Sequence, residues 1–133
     1  MLKKPLFWEM FFLFAIVGIL NWFAVTYNLF WYVREFDSLL HFLGGVFLSI
    51  FFLWFYFFSG LFASPKRNLK HFLVVSILGV ILVAVCWEIY ELLMGEAEFS
   101  RSEYPFDTTL DFIMDLLGAL AACFYGYMKE WHE

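Results

Sequence analysis

Tyr104-Pro105-Phe106-Asp107-Thr108-Thr109-Leu110-Asp111-Phe112-Ile113-Met114-Asp115-Leu116-Leu117-Gly118-Ala119 opens the last apolar segment of the chain. At helical spacing Asp111 and Asp115 lie one turn apart on one face, and Gly118 and Ala122 continue that face. The segment is otherwise apolar enough to lie in lipid, where a carboxylate near the bilayer centre costs roughly 2.5–3.5 kcal/mol. Other parts of the chain must offset that cost, and the search for them organises the remaining segments.

Composition points to the same solvent. Of 133 residues, 64% are hydrophobic and 25% aromatic, with twenty Phe, seven Tyr and six Trp. Soluble domains are about 45–50% apolar, and a single domain this small cannot bury so many rings. The net charge of -5 and the lack of a basic stripe argue against nucleic acid as a partner. Cys86 and Cys123 fall near opposite ends of their segments, which predicts neither a disulfide nor a zinc-thiolate site. Both read as small core residues. Met1-Leu2-Lys3-Lys4 before an apolar run resembles a signal peptide. That run is long and Phe-rich and no small-x-small site follows it, which predicts an uncleaved first membrane helix.

Four apolar segments are long enough to cross ~30 Å of hydrocarbon. The expected fold is an all-α integral membrane protein, a single four-helix transmembrane bundle with spans at about 5–33, 37–63, 71–94 and 108–128. Asn21 in the first span is expected to face the bundle and hydrogen-bond there, with Trp31 and Tyr32 as interface anchors. In the second span Asp37, His41, Gly44 or Gly45, and Leu48 share a face, and the glycines mark it as the side that meets another helix. In the third, Glu88 and Glu91 are neighbours at i,i+3, and Gly95 ends the helix. The fourth carries Gly118, Ala119, Ala121, Ala122 and Gly126, which suit close packing.

Charge sets the orientation. Lys3, Lys4, Lys66, Arg67, Lys70 and Lys129, six of the eight bases, fall on the side of both termini. The positive-inside rule then places both termini in the cytoplasm. Ten of the thirteen acids fall at the opposite end, with only Arg34 and Arg101 for company. Counted at ~1.5 Å per residue from that outer end, His41 is ~6 Å deep, Glu88 ~9 Å, Glu91 ~5 Å, Asp111 ~5 Å and Asp115 ~11 Å. Three helices thus bring these residues to one level, with Asp37 at the rim.

Capping explains part of this pattern. Asp37 can cap the second helix, and Asp107 or Thr108 the fourth, where Thr108-Thr109-Leu110-Asp111 reads as a capping-box variant. Glu96, Glu98 and Glu103 read as a solvated loop. His41, Glu88 and Asp115 lie too far inside their helices for capping. Two arginines cannot neutralise five or six carboxylates, so either some of these are protonated or a bound cation supplies the charge. One His among Asp and Glu suits a divalent ion such as Mg²⁺, Mn²⁺, Zn²⁺ or Fe²⁺. The pairs Asp37/His41 and Asp111/Asp115 have the i,i+4 spacing at which one helix chelates one ion.

The blocks Phe36-Asp37-Ser38-Leu39-Leu40-His41-Phe42-Leu43-Gly44-Gly45, Trp87-Glu88-Ile89-Tyr90-Glu91 and Asp107 to Ala119 resemble those of the YjdF-like family of bacterial inner-membrane proteins. More distantly they are similar to the VanZ-like proteins associated with glycopeptide-antibiotic resistance. Asp37, His41, Glu88, Asp107, Asp111, Asp115 and Gly118 each match a position of that pattern. Ser38 and Asp115 stand where the VanZ-like pattern tends to have a basic residue and an amide, which favours the YjdF-like branch. The resemblance implies a place in the bacterial inner membrane. For the VanZ-like relatives it also implies action at the outer face, but it implies no reaction.

The expected function is a metal-dependent enzyme acting on a lipid or lipid-linked, phosphate-bearing substrate. His41, Glu88, Asp111 and Asp115 would hold the ion. Asp37 would orient His41 or complete the site. Glu91 or Asp107 would serve as general acid-base. A cation- or proton-coupled transporter or channel subunit is the alternative. It needs a path inward, for which only the scattered Ser49, Ser59 and Ser76 and the acid Glu9 are available. A third reading is an accessory protein whose polar core only fixes helix register. The many Phe residues leave lipid, a second copy or a membrane-protein partner open as neighbours.

Overall fold

The computed structural model describes residues 6–29, 33–63, 66–93 and 104–130, without the side chains of residues 34, 104–108 and 130. The described residues form four long helices, α1 (Phe7–Thr26), α2 (Arg34–Leu53), α3 (Leu69–Leu93) and α4 (Tyr104–Glu130), and no strand. Each contains a stretch long and apolar enough to cross a membrane. The architecture is that of a four-helix membrane bundle.

The ends follow local chemistry. Leu6, at φ 66°, turns the chain into α1, and Asn28, at φ 53°, turns it out again after Thr26. Asparagine is one of the few residues that tolerate this left-handed conformation. The helix therefore closes well before residue 33. α2 continues through a wide π-helical turn of five aromatics, Trp54–Phe58, and Gly60 at φ 85° releases the chain. Asn68 caps α3 by accepting a hydrogen bond from the His71 amide at 2.9 Å. α2 begins at Arg34, three residues before Asp37, and α4 at Tyr104, three residues before Asp107. Neither aspartate is a helix cap, and Thr108 is not one either.

α2 and α4 form the most extensive contact in the bundle, and α3 packs against both. Glycine makes the α2/α4 contact close. A Cβ on Gly45 would collide with the Asp115 carbonyl, and one on Gly118 with the Phe42 carbonyl and the Val46 amide nitrogen. Backbone meets backbone here, which is how membrane helices gain dispersion energy where lipid offers no hydrophobic drive.

One turn further toward the termini, buried Ser49 Oγ lies 2.9 Å from Ser76 Oγ and donates to the Ala119 carbonyl at 3.2 Å. These serines, scattered in sequence, knot α2, α3 and α4 together. Below them lies an apolar core of Leu6, Ile50, Leu53, Trp54, Phe57, Phe58, Phe72, Ala122 and Cys123. The Phe57 and Phe72 rings stack there at 4.4 Å.

α1 is peripheral and packs mainly on α2. Only Leu6 and Ala24 of its stretch are buried, and Lys129 of α4 pairs with Glu9 at the terminal end. Two expectations are corrected as a result. Asn21 is exposed rather than turned into the bundle, because α1 offers the core a contact too narrow to include it. Cys123 is a core residue but Cys86 is exposed, because it lies off the inward stripe of α3 that runs through Ser76, Val80 and Ala84. The two thiols are free. Trp31, Tyr32 and Gly95 lie outside the described residues.

Gly118→Ala is expected to destabilise the bundle by about 1–3 kcal/mol through overpacking. Gly44→Ala is the control, since its Cβ would meet nothing within 4 Å. It should leave stability unchanged or slightly raised, because alanine favours helix. Thermal unfolding in mild detergent reads both.

Candidate metal centre

Three inward stripes at four-residue intervals end at the pole away from the termini. On α2 the stripe runs Leu53, Ser49, Gly45, His41, Asp37, and on α3 it runs Ser76, Val80, Ala84, Glu88. On α4 it ends in Asp115 and Asp111. The spacing keeps each side chain on the face already committed to the bundle by the small residues below.

The stripes converge on His41. Its Nδ1 donates to Asp115 Oδ1 at 3.1 Å, and its Nε2 lies 3.5 Å from Asp111 Oδ2 and 3.8 Å from Asp37 Oδ1. A carboxylate only accepts, so the bond to Asp115 places the ring hydrogen on Nδ1. Nε2 is then turned toward two carboxylate oxygens. A proton on Nε2, a protonated carboxyl donating to it, or a metal ion between the three groups makes the arrangement favourable. Asp37, His41 and Asp111 can each offer one donor atom within 4.8 Å of the others.

Exposure grades along the site. The Asp37 side chain is 48% exposed, His41 21%, Asp111 19% and Asp115 13%. The cluster therefore opens at the pole and closes downward onto the Gly45/Gly118 contact. Glu88 of α3 lies within electrostatic range of Asp111 and adds a fourth acid to the cluster.

The structure thus brings together Asp37, His41, Asp111 and Asp115, with Glu88 beside them. Asp115 is the residue that holds His41, and Asp37 is the one that shares the Nε2 side with Asp111. Glu91 accepts a hydrogen bond from the Trp87 indole at 2.8 Å on an exposed part of α3. Of Asp107 only the backbone, in the first turn of α4, is described. The Arg34 side chain and Arg101, Glu96, Glu98 and Glu103 lie outside the described residues. Sequence reasoning passed over Trp87 as a partner, although its i,i+4 spacing to Glu91 was a usable signal.

The chain matches a family model described as "Predicted membrane protein (DUF2238)" over residues 4–131. No curated protein and no solved structure matches it.

The carboxylates should be mutually frustrated once the imidazole is gone. In chelator, His41→Ala is expected to lower the unfolding midpoint, and adding Asp111→Asn to that variant should restore part of the loss. The coupling should be about 0.5–3 kcal/mol, as for contacting residues in one network. A double-mutant cycle on unfolding free energies measures it, and strict additivity would contradict the arrangement.

Proposed function

The chain belongs to the DUF2238 family of predicted membrane proteins, and from that premise we propose that its polar pole is a divalent-cation site serving chemistry on a phosphate-bearing lipid or lipid-linked substrate. The observation that carries the proposal is the geometry of His41. One ring nitrogen is anchored to Asp115, while the other faces Asp37 and Asp111. A metal-bound histidine commonly has its second nitrogen tied to a carboxylate in this way, which fixes the tautomer and strengthens the ligand.

In this reading Asp37, His41 and Asp111 hold Mg²⁺, Mn²⁺, Zn²⁺ or Fe²⁺, and Asp115 orients His41. Three protein donors leave coordination positions for water or a substrate oxygen, as in catalytic rather than closed structural sites. The ion would act as a Lewis acid on a phosphoryl oxygen. Glu88 beside Asp111 stabilises the bound cation, and Glu91 or Asp107 remains the general acid-base candidate. The distribution of Lys and Arg supports cytoplasmic termini in a bacterial inner membrane, which would turn the pole outward. We propose action at that face from the resemblance of the Asp37, Glu88 and Asp115 sequence blocks to the VanZ-like pattern.

The transporter reading is disfavoured by what lies beneath the cluster. The Gly45/Gly118 contact, the buried Ser49–Ser76 tie and the Phe57/Phe72 stack occupy the bundle axis in succession. A cluster closed at its inner end suits an enzyme or a binding protein better than a path across the membrane.

Elemental analysis of protein purified without chelator tests the site. Near-stoichiometric metal is expected in the parent, and its loss in folded Asp111→Asn. Asp115→Ala should retain the ligands but bind roughly 10–100-fold more weakly, as when an outer-shell partner is removed. A parent that stays metal-free after adding each of the four ions would remove the metal reading. A metal-loaded parent would then be screened for turnover of phospholipids and wall-precursor lipids.

A further inference from the structure

The opposite pole carries a second polar feature. Lys66 and Arg67 follow the exposed Leu61 and Phe62 in the link from α2 to α3, and Lys70 lies in the first turn of α3. The sequence has no acidic residue between Asp37 and Glu88, so this hairpin contributes only positive charge at its tip. The tip lies at the terminal end of the bundle, where Phe72 packs on Tyr127 and Trp54 on Phe7.

Two of its groups are held in place. The Arg67 guanidinium donates to the Phe57 carbonyl at 3.3 Å and lies 4.8 Å above the Phe58 ring. That carbonyl belongs to the π-helical turn, so the irregular end of α2 is what seats the arginine. Asn68 holds the His71 ring at 2.7 Å while it caps α3. Phe62 folds back on the α2 aromatics, 5.7 Å from Phe55 and 5.0 Å from Tyr56. An exposed apolar pair thus precedes three cations by only a few residues, and the Phe62 and Arg67 side chains both rest on the aromatic end of α2.

We propose that this tip is a binding surface for anionic phospholipid headgroups. Leu61 and Phe62 sit in the acyl region, and Lys66, Arg67 and Lys70 meet the phosphates of the same lipids. The juxtaposition commits to lipid, because a soluble anion would have no use for the apolar pair. Basic segments at a membrane surface attract anionic lipid by about fivefold in partitioning per Lys or Arg. The surface is independent of the metal centre, which lies at the other pole.

The test uses the full chain in bilayer discs of phosphatidylcholine containing a minority of phosphatidylglycerol. Lipid retained on gentle extraction is read by native mass spectrometry, in the parent and in Lys66→Gln/Lys70→Gln. The parent should enrich phosphatidylglycerol over phosphatidylcholine, less so at high salt. The double variant should lose the preference by about fivefold for each lysine. Its unfolding midpoint in pure phosphatidylcholine and its metal content should match the parent. No enrichment in the parent would overturn the proposal, and so would undiminished enrichment in the folded variant. Complete displacement of the lipid by inorganic phosphate would overturn the commitment to a lipid occupant. Should the double variant fail to fold, Lys66→Gln and Lys70→Gln are measured singly against the same fivefold expectation.

Discussion

The close approach of α2 and α4 at Gly45 and Gly118 is the constraint on which the rest of the bundle depends. Two backbones touch there with no side chain between them. In lipid, helices gain nothing from hiding apolar surface from each other, so contact distance and hydrogen bonds decide which faces meet. A helix is stiff enough that one fixed contact sets the levels above and below it. The Asp115 backbone is pressed against Gly45 while its side chain reaches His41. On the other side of the same contact, Ser49 reaches the Ala119 carbonyl and Ser76. The polar pole and the buried serine tie are thus two consequences of one packing decision.

The two ends of the bundle are consequently different environments. Toward the termini the axis is filled with aromatic and aliphatic side chains, and the surface is basic. Toward the other pole the axis fills with carboxylates around one imidazole, and exposure increases step by step. Buried like charges of this kind persist only where something compensates them. α1 takes little part in either end. It is attached by Leu6, Ala24 and the Glu9–Lys129 pair, and it presents its aromatics outward. The site belongs to α2, α3 and α4.

Much of this was legible beforehand. Composition, segment length and the lack of charge in long runs are one-dimensional properties, and they suffice to identify membrane helices. The i,i+4 spacing of Asp37 with His41, and of Asp111 with Asp115, put each pair on one face without any knowledge of a partner. Depth counting then brought three helices to one level. Asn21 was misread because polarity in a membrane segment says nothing about which helix is peripheral. The capping alternative for Asp37 and Asp107 fell because α2 and α4 start earlier than the apolar pattern does.

What the sequence by itself determined is therefore the set of elements, their faces and the residues that share a depth, since these follow from helical periodicity and from the solvent each segment requires. Only the tertiary structure decided who touches whom. It gave Asp115 to Nδ1 of His41 and left Nε2 to Asp37 and Asp111. It joined Ser49 to Ser76 across two helices, and drew Glu91 to Trp87. Such choices depend on the rotation of one helix against another, and differences of a few ångströms decide them. That rotation is set by the glycine contact between segments some seventy residues apart, which no local pattern encodes.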